Sequence, residues 1–206
     1  MAARFFVEPM HVFHFLRARP VRRLGALALL AGVGWLINLS LPSQARAYTI
    51  TGRVVHVADG DTLTVLVGRA RQRIRLASID APETGHGRER PGQPYGQAAK
   101  RALSALVAGK TLALTCYERD HYGRDICDVP LPDGRLVSQV MVASGMAWAN
   151  RQAGGKYLRD ASLPGREKSA RDRRLGLWQR PGAVAPWEWR SKCWKALEVG
   201  RSSPIC

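Results

Sequence analysis

Hydrophobic and polar positions divide the chain into three regimes. An apolar run at residues 24–37 is followed, from Tyr48, by short alternating segments, and these give way after about residue 148 to a stretch without period. In the first alternating segment Ile50, Val54 and His56 would face one side and Thr51, Arg53, Val55 and Val57 the other, as a strand requires. Asp59-Gly60-Asp61 turns the chain, residues 63–67 read as the returning strand, Gly68 as a turn, and residues 71–79 as a third strand. A Gly- and Pro-rich loop spans residues 81–94. Ala99, Ala102, Leu103 and Leu106 then recur at helical spacing within residues 97–107, ahead of Gly109. Residues 111–119 and 123–129 read as a hairpin, and Leu136, Val137, Val140 and Met141 as a second helix stopped by Gly145. Pro164 opens a third, strongly basic helix reaching Arg174, and the Pro- and Trp-rich tail from Pro181 reads as an extended appendage. The expected class is α+β, mainly β.

The first regime is read as targeting, not fold. Arg17, Arg19, Arg22 and Arg23 precede the apolar run, and Ala45-Arg46-Ala47 supplies a small-x-small cleavage pattern, so residues 1–47 read as a secretory signal peptide. The rival is a membrane anchor formed by residues 24–41; the strictly apolar part falls short of the roughly 20 residues that span a bilayer. Met10 is an alternative start, and Arg22-Arg23 a weak sign of twin-arginine export. Either way the destination is outside the cytoplasm, periplasmic or extracellular.

Charge sharpens the picture. The 206 residues carry 32 Lys and Arg against 16 Asp and Glu, a net of +16, and removing residues 1–47 leaves 26 basic and 15 acidic residues. The excess is concentrated after residue 150, where 13 basic face 5 acidic residues. Such a balance suits a polyanionic partner, nucleic acid or anionic membrane. At this length the chain is one domain or two small ones, and 46% hydrophobic residues exclude wholesale disorder.

All four cysteines lie beyond the leader, where disulfides are permitted, and three complete pairings exist. Cys116 and Cys127 sit symmetrically about His121-Tyr122, so a hairpin turning there sets their sulfurs face to face, leaving Cys193 for Cys206. A zinc site is disfavoured because no CxxC or paired-His spacing occurs after the leader. His56, His86 and His121 have no spaced partner and receive no role.

Four carboxylates, Asp59, Asp61, Asp80 and Glu83, stand at strand ends, with Arg75 five residues before Asp80 and Arg124 in a second turn. Singly, each is an ordinary turn residue. Together, carboxylates and guanidinium forks are the parts phosphodiester chemistry needs. The run Val57-Ala58-Asp59-Gly60-Asp61-Thr62, then Arg75-Leu76-Ala77-Ser78-Ile79-Asp80-Ala81-Pro82-Glu83-Thr84, then Asp120-His121-Tyr122-Gly123-Arg124 resembles the three signature blocks of the staphylococcal nuclease family in order and spacing. The similarity covers roughly residues 49–178, and Gly176-Leu177-Trp178 with Pro186-Trp187-Glu188-Trp189-Arg190 resembles the exported bacterial members.

That resemblance implies a five-stranded OB-type barrel with three helices in a domain of residues 48–178, followed by a basic tail of residues 179–206. It implies calcium on Asp61, Asp80 and the main-chain carbonyl of Ala81, and Glu83 as the base that orients or deprotonates the attacking water. It implies Arg75 and Arg124 on the phosphate, Tyr122 bonded to a terminal phosphate, and Asp59 and Thr62 holding the water around the metal. The family's base-stacking tyrosine falls near Asn150 and Arg151, where no aromatic stands; Trp148 or Tyr157 would have to substitute. Arg88 and Arg90, in a loop unlike the family's, read as solvated or phosphate-touching, and the basic helix as a solvated face or a phosphate track.

The expected function is an exported, calcium-dependent endonuclease acting on single-stranded DNA and RNA, leaving 3'-phosphates, as a monomer without a stable protein partner or membrane association. The rivals are a catalytically silent OB-fold module binding nucleic acid or another polyanion, and an envelope protein using the basic Trp tail.

Overall fold

The computed structural model describes residues 46–206, so the leader read at residues 1–47 lies, but for its last two positions, outside the described residues. Five strands close into a barrel: β1 (Tyr48–Val57), β2 (Thr62–Val67), β3 (Ala70–Leu76), β5 (Thr111–Arg119) and β6 (Asp125–Asp128), in the order β1-β2-β3-β6-β5. All pairs are antiparallel except β3 with β6, which run parallel with Arg75 opposite Ile126. This is the OB-type, mainly β architecture. Closure leaves no unpaired edge in the barrel. Val54, Leu63, Val65, Ile74, Leu114 and the Cys116–Cys127 pair fill its interior.

Two expectations about strands are corrected. β1 carries a bulge between Val54 and His56, which inserts a residue and reverses the alternation beyond it. Val57 therefore points into the core while His56 is exposed, the opposite of a straight period-two reading. The third strand does not run to residue 79. It ends at Leu76, the chain turns through Ala77-Ser78, and Ile79–Asp80 forms β4 in a separate two-stranded sheet with β7 (Trp148–Ala149). Ser78 makes that turn with φ of +68°, unfavourable for a side chain with a Cβ. Three bonds hold it there: its Oγ accepts the N–H groups of Arg159 and Asp160, and its carbonyl accepts that of Asn150.

α1 (Gly96–Val107) closes the barrel with Ala99, Leu103 and Val107, one buried face at four-residue spacing. α2 (Val137–Ala143) packs Val137 and Met141 beside it. After the single turn α3 (Gln152–Gly155), α4 (Leu163–Asp172) buries Leu163, Glu167 and Ala170. Glu167 is fully buried, and its carboxylate accepts from the main-chain N–H of Ala149 at 2.7 Å and from the guanidinium groups of Arg151 and Arg171, tying α4 to β7. One cation of the basic face read on this helix, Arg171, is thus paired with a buried carboxylate. Arg171 also stacks on Trp178 at 3.7 Å.

The tail is not an extended appendage. After a 3₁₀ turn (Gly176–Gln179) it forms α5 (Pro186–Glu188), a wider π-helical turn (Trp189–Trp194) and α6 (Lys195–Glu198). Trp189, Cys193 and Trp194 form a small buried cluster. The carbonyl of Pro91 accepts both indole N–H groups, at 3.1 Å from Trp189 and 3.0 Å from Trp194. Gln93 donates its side-chain amide to the carbonyl of Val184 at 2.5 Å. The cysteines are bonded as Cys116–Cys127 and Cys193–Cys206, with Cα separations of 4.0 and 5.3 Å. The second closes the tail upon itself. Aperiodicity in the sequence came from three short turns of differing pitch, none long enough to show a helical repeat.

Candidate active site

Local geometry brings the carboxylates together from two turns. Asp59 opens the β1–β2 connection, where its Oδ1 accepts the N–H of Asp61 at 2.9 Å, an Asx turn that points Asp61 inward. Gly60 is required between them, because a Cβ there would stand 2.6 Å from that of Ala99 and 2.7 Å from that of Ala81. Asp80 ends β4, placed by the strained Ser78 turn, and the N–H of Ala81 donates to Asp61 Oδ2 at 2.7 Å. Glu83 follows on the loop, and its carbonyl accepts the N–H of Gln93 at 2.8 Å.

Arg75, at the end of β3, bridges the two turns: Nη1 lies 3.0 Å from Asp61 Oδ2 and Nη2 2.9 Å from Asp80 Oδ1. The β3–β6 pairing brings up the third block. Asp120 Oδ1 accepts the N–H groups of Tyr122 and Arg124, and its Oδ2 holds the Arg124 guanidinium at 2.8 Å. Arg124 Nη1 donates to Thr62 Oγ1 at 3.4 Å, and Thr62 donates to Asp61 Oδ1 at 3.0 Å. Thr62 therefore couples the carboxylate turn to the arginine turn. Tyr122 is 64% exposed and lines the cleft, its ring beside the Arg124 guanidinium and the His121 ring. All of these residues line one cleft of about 630 Å³.

Burial, with Asp59 and Asp80 adding repulsion, pushes the Asp61 carboxyl up to about 7 against the pull of Arg75. Burial likewise raises Glu83, opposed by a bond from Arg190. Burial disfavours the charged form of Arg75, but Asp61, Asp80 and Asp59 outweigh it and raise its pKa, so it stays a cation. Asp59, Asp61, Asp80 and Glu83 thus gather hard oxygen donors around two guanidinium groups, Arg75 and Arg190. A divalent cation fits that chemistry, relieving the repulsion at Asp61. Among the described residues no three His, Cys, Asp or Glu side chains form a ready-made ligand set, so an ion here would take two carboxylates and complete its shell with main-chain oxygen and water.

A comparison with family models matches residues 73–180 to the staphylococcal nuclease homologue family. The chain belongs to the staphylococcal nuclease family. Relatives agree: a protein named an uncharacterized endonuclease from Escherichia coli is 43% identical over 143 residues, covering 69% of this chain and 86% of its own. A micrococcal nuclease from Shigella flexneri is 41% identical over 173 residues, covering 80% and 94%. A staphylococcal-like nuclease from Arabidopsis thaliana is 38% identical over 118 residues, covering 57% of this chain and 33% of its own. The protein is accordingly a nuclease, a hydrolase of the phosphodiester bonds of nucleic acid.

Two members of this nuclease's cleft escaped the sequence reading. Asp120 was quoted only as part of a motif, yet it clamps Arg124. Arg190, from the tail, enters the cleft and bonds Asp80 Oδ2 at 2.7 Å, Asp80 Oδ1 at 3.2 Å and Glu83 Oε1. Arg190 stands in the Pro186–Arg190 run that resembles the exported family members, but no periodicity or spacing in that run directs it to the cleft. Of the substitutes for a base-stacking aromatic, Trp148 is buried edge-on against Trp178 and is not available, whereas Tyr157 is exposed and lines the cleft. Arg90 is not a free loop cation: it pairs with Glu198 of the tail at 2.8 Å.

Proposed function

We propose that this nuclease is an exported, calcium-dependent endonuclease that cleaves single-stranded DNA and RNA with low sequence specificity and leaves 3'-phosphates. The observation that carries the reading is the convergence of Asp61, Asp80, Glu83, Arg75 and Arg124 on one cleft. A silent binding module has no need to gather three carboxylates, Asp61 and Asp80 of them buried, beside arginines where a polyanion must approach. Export is supported by the leader pattern and by two disulfides.

In this mechanism Asp61, Asp80 and the carbonyl of Ala81 would hold the calcium ion. When bound, the ion would supply Lewis-acid polarisation of a phosphoryl oxygen and neutralise developing charge. Glu83 orients a water and accepts its proton as the water oxygen bonds to phosphorus; the bond from phosphorus to the 5'-oxygen breaks, and that oxygen leaves with a proton from solvent. Arg75 and Arg124 donate to the phosphoryl oxygens, and they do so most strongly as charge builds on five-coordinate phosphorus, which lowers the barrier. Asp120 and Thr62 position Arg124, while Asp59 fixes the Asp61 turn. Tyr122 at the rim bonds a terminal phosphate, and Tyr157 offers a ring for a base.

Glu83→Gln tests the assignment. Turnover of an end-labelled single-stranded oligonucleotide should fall by roughly two to four orders of magnitude, with affinity nearly intact. Equal losses in both would remove Glu83 from the water, and products ending in a 3'-hydroxyl would remove the proposed direction of cleavage.

A further inference from the structure

Arg190 belongs to a segment outside the matched stretch of residues 73–180, yet its guanidinium stands among the carboxylates of the cleft. Its side chain is 34% exposed and lines the cleft. The backbone that carries it is anchored: Trp189 and Trp194 are buried, both bond Pro91, and Cys193 between them is bonded to Cys206. A removable plug would ride on a loosely held strand. Here the wall is fixed and only the side chain's tip can move.

Asp80 now satisfies two guanidinium groups, with Oδ1 accepting from both Arg75 and Arg190. A cation on Asp80 would take up an oxygen that Arg190 now shares and would repel the guanidinium, so the bidentate Arg190–Asp80 pair is weakened. Arg190 then keeps Glu83 as a partner and has further N–H donors pointing into a cleft built to receive a phosphodiester. A guanidinium that loses one of its two carboxylate partners there has donors to satisfy, and a phosphate oxygen is the natural replacement.

We propose that Arg190 is a third phosphate-binding guanidinium of the site, contributed by the C-terminal segment and parked on Asp80 and Glu83 until a cation takes Asp80. The inference rests on the nuclease reading of the cleft. Two linked consequences follow. Arg190 competes with the cation for Asp80, so its removal strengthens calcium binding; and it joins Arg75 and Arg124 on the substrate, so its removal weakens the grip of the calcium-loaded protein on nucleic acid.

The test uses the oxidised mature chain and its Arg190→Gln, Arg190→Lys and Lys195→Gln variants. Calcium affinity is read by titration calorimetry without nucleic acid, and affinity for a fluorescent phosphorothioate single-stranded oligonucleotide is read in saturating calcium. Lys195 is exposed on the same segment and removes one positive charge without touching the cleft. Arg190→Gln should tighten calcium by roughly fivefold or more and weaken the oligonucleotide by roughly ten- to hundredfold. Arg190→Lys, which retains charge but loses the fork, should fall between, and Lys195→Gln should change either by less than about twofold.

If Arg190→Gln and Lys195→Gln weaken the oligonucleotide equally, or if Arg190→Gln tightens calcium but leaves the oligonucleotide unaffected, the proposal is overturned. Should the glutamine variant lose its melting transition, the lysine variant decides by the same criteria. The nuclease reading is judged on wild type alone: binding without cleavage would overturn that reading while the variant ratio still judges Arg190, and a wild type that bound no oligonucleotide would overturn both.

Discussion

Oδ2 of Asp61 accepts the main-chain N–H of Ala81 at 2.7 Å, joining two turns twenty residues apart. The same oxygen lies 3.0 Å from Arg75, so one buried atom ties β2, β3 and the loop after β4 together. The two carboxylate-bearing turns are therefore held together by the protein's own bonds. Catalytic sites of this kind draw their rate from groups fixed before the reaction begins.

That fixation has a pH signature. Because burial pushes Asp61 up from 3.8 to about 7, the folded, calcium-free protein holds a proton that the unfolded chain releases. Its contribution to stability is full below about pH 4 and declines as pH rises through about 7. Thermal melts in chelator should show this decline as the difference between wild type and Asp61→Asn. Calcium requires the ionised carboxylate, so the rise in Tm that it produces should be larger at pH 8 than at pH 5.5. Equal calcium-induced rises at both values would contradict the burial assigned to Asp61.

Gly96, the first residue of α1, is pressed against the main-chain carbonyl of Glu83, leaving no space for a methyl group. Gly96→Ala should push the Glu83 loop outward. The expected result is a loss of about 1–3 kcal/mol in stability with a fall in kcat larger than any change in KM. A variant with wild-type kcat would show that the exact seat of Glu83 is unimportant.

Glu167 supports the site from behind, since β7, which its carboxylate anchors, pairs with the strand bearing Asp80. Glu167→Ala strands the N–H of Ala149 and leaves a hole, and should cost on the order of 3 kcal/mol in guanidinium unfolding. A cost under about 0.5 kcal/mol would mean that Arg151 and Arg171 screen an already solvated group.

The strands and the motif blocks are legible because each is local in sequence, whereas the closed barrel and the roles in the cleft are what the resemblance implies. Strand alternation, the turns at Asp59-Gly60-Asp61 and Gly68, and the helix at residues 97–107 each declare themselves within a dozen residues. What escaped depends on contacts distant along the chain. The β1 bulge is an insertion of one residue whose only cue is register with β2. The Ser78 turn is maintained by Asn150, Arg159 and Asp160, some eighty residues away, so nothing near Ser78 announces it. Arg190 is the extreme case: its position is set by Pro91 gripping two tryptophans and by a disulfide, none of which has a sequence period.

The most direct test of the central claim is digestion of heat-denatured DNA by the purified, oxidised mature chain in calcium and in excess chelator, alongside Asp61→Ala. The account predicts cleavage by wild type in calcium only, and none by Asp61→Ala in either condition. Cleavage that survives the chelator or the substitution, or a folded wild type that binds DNA in calcium and leaves it intact, would contradict it.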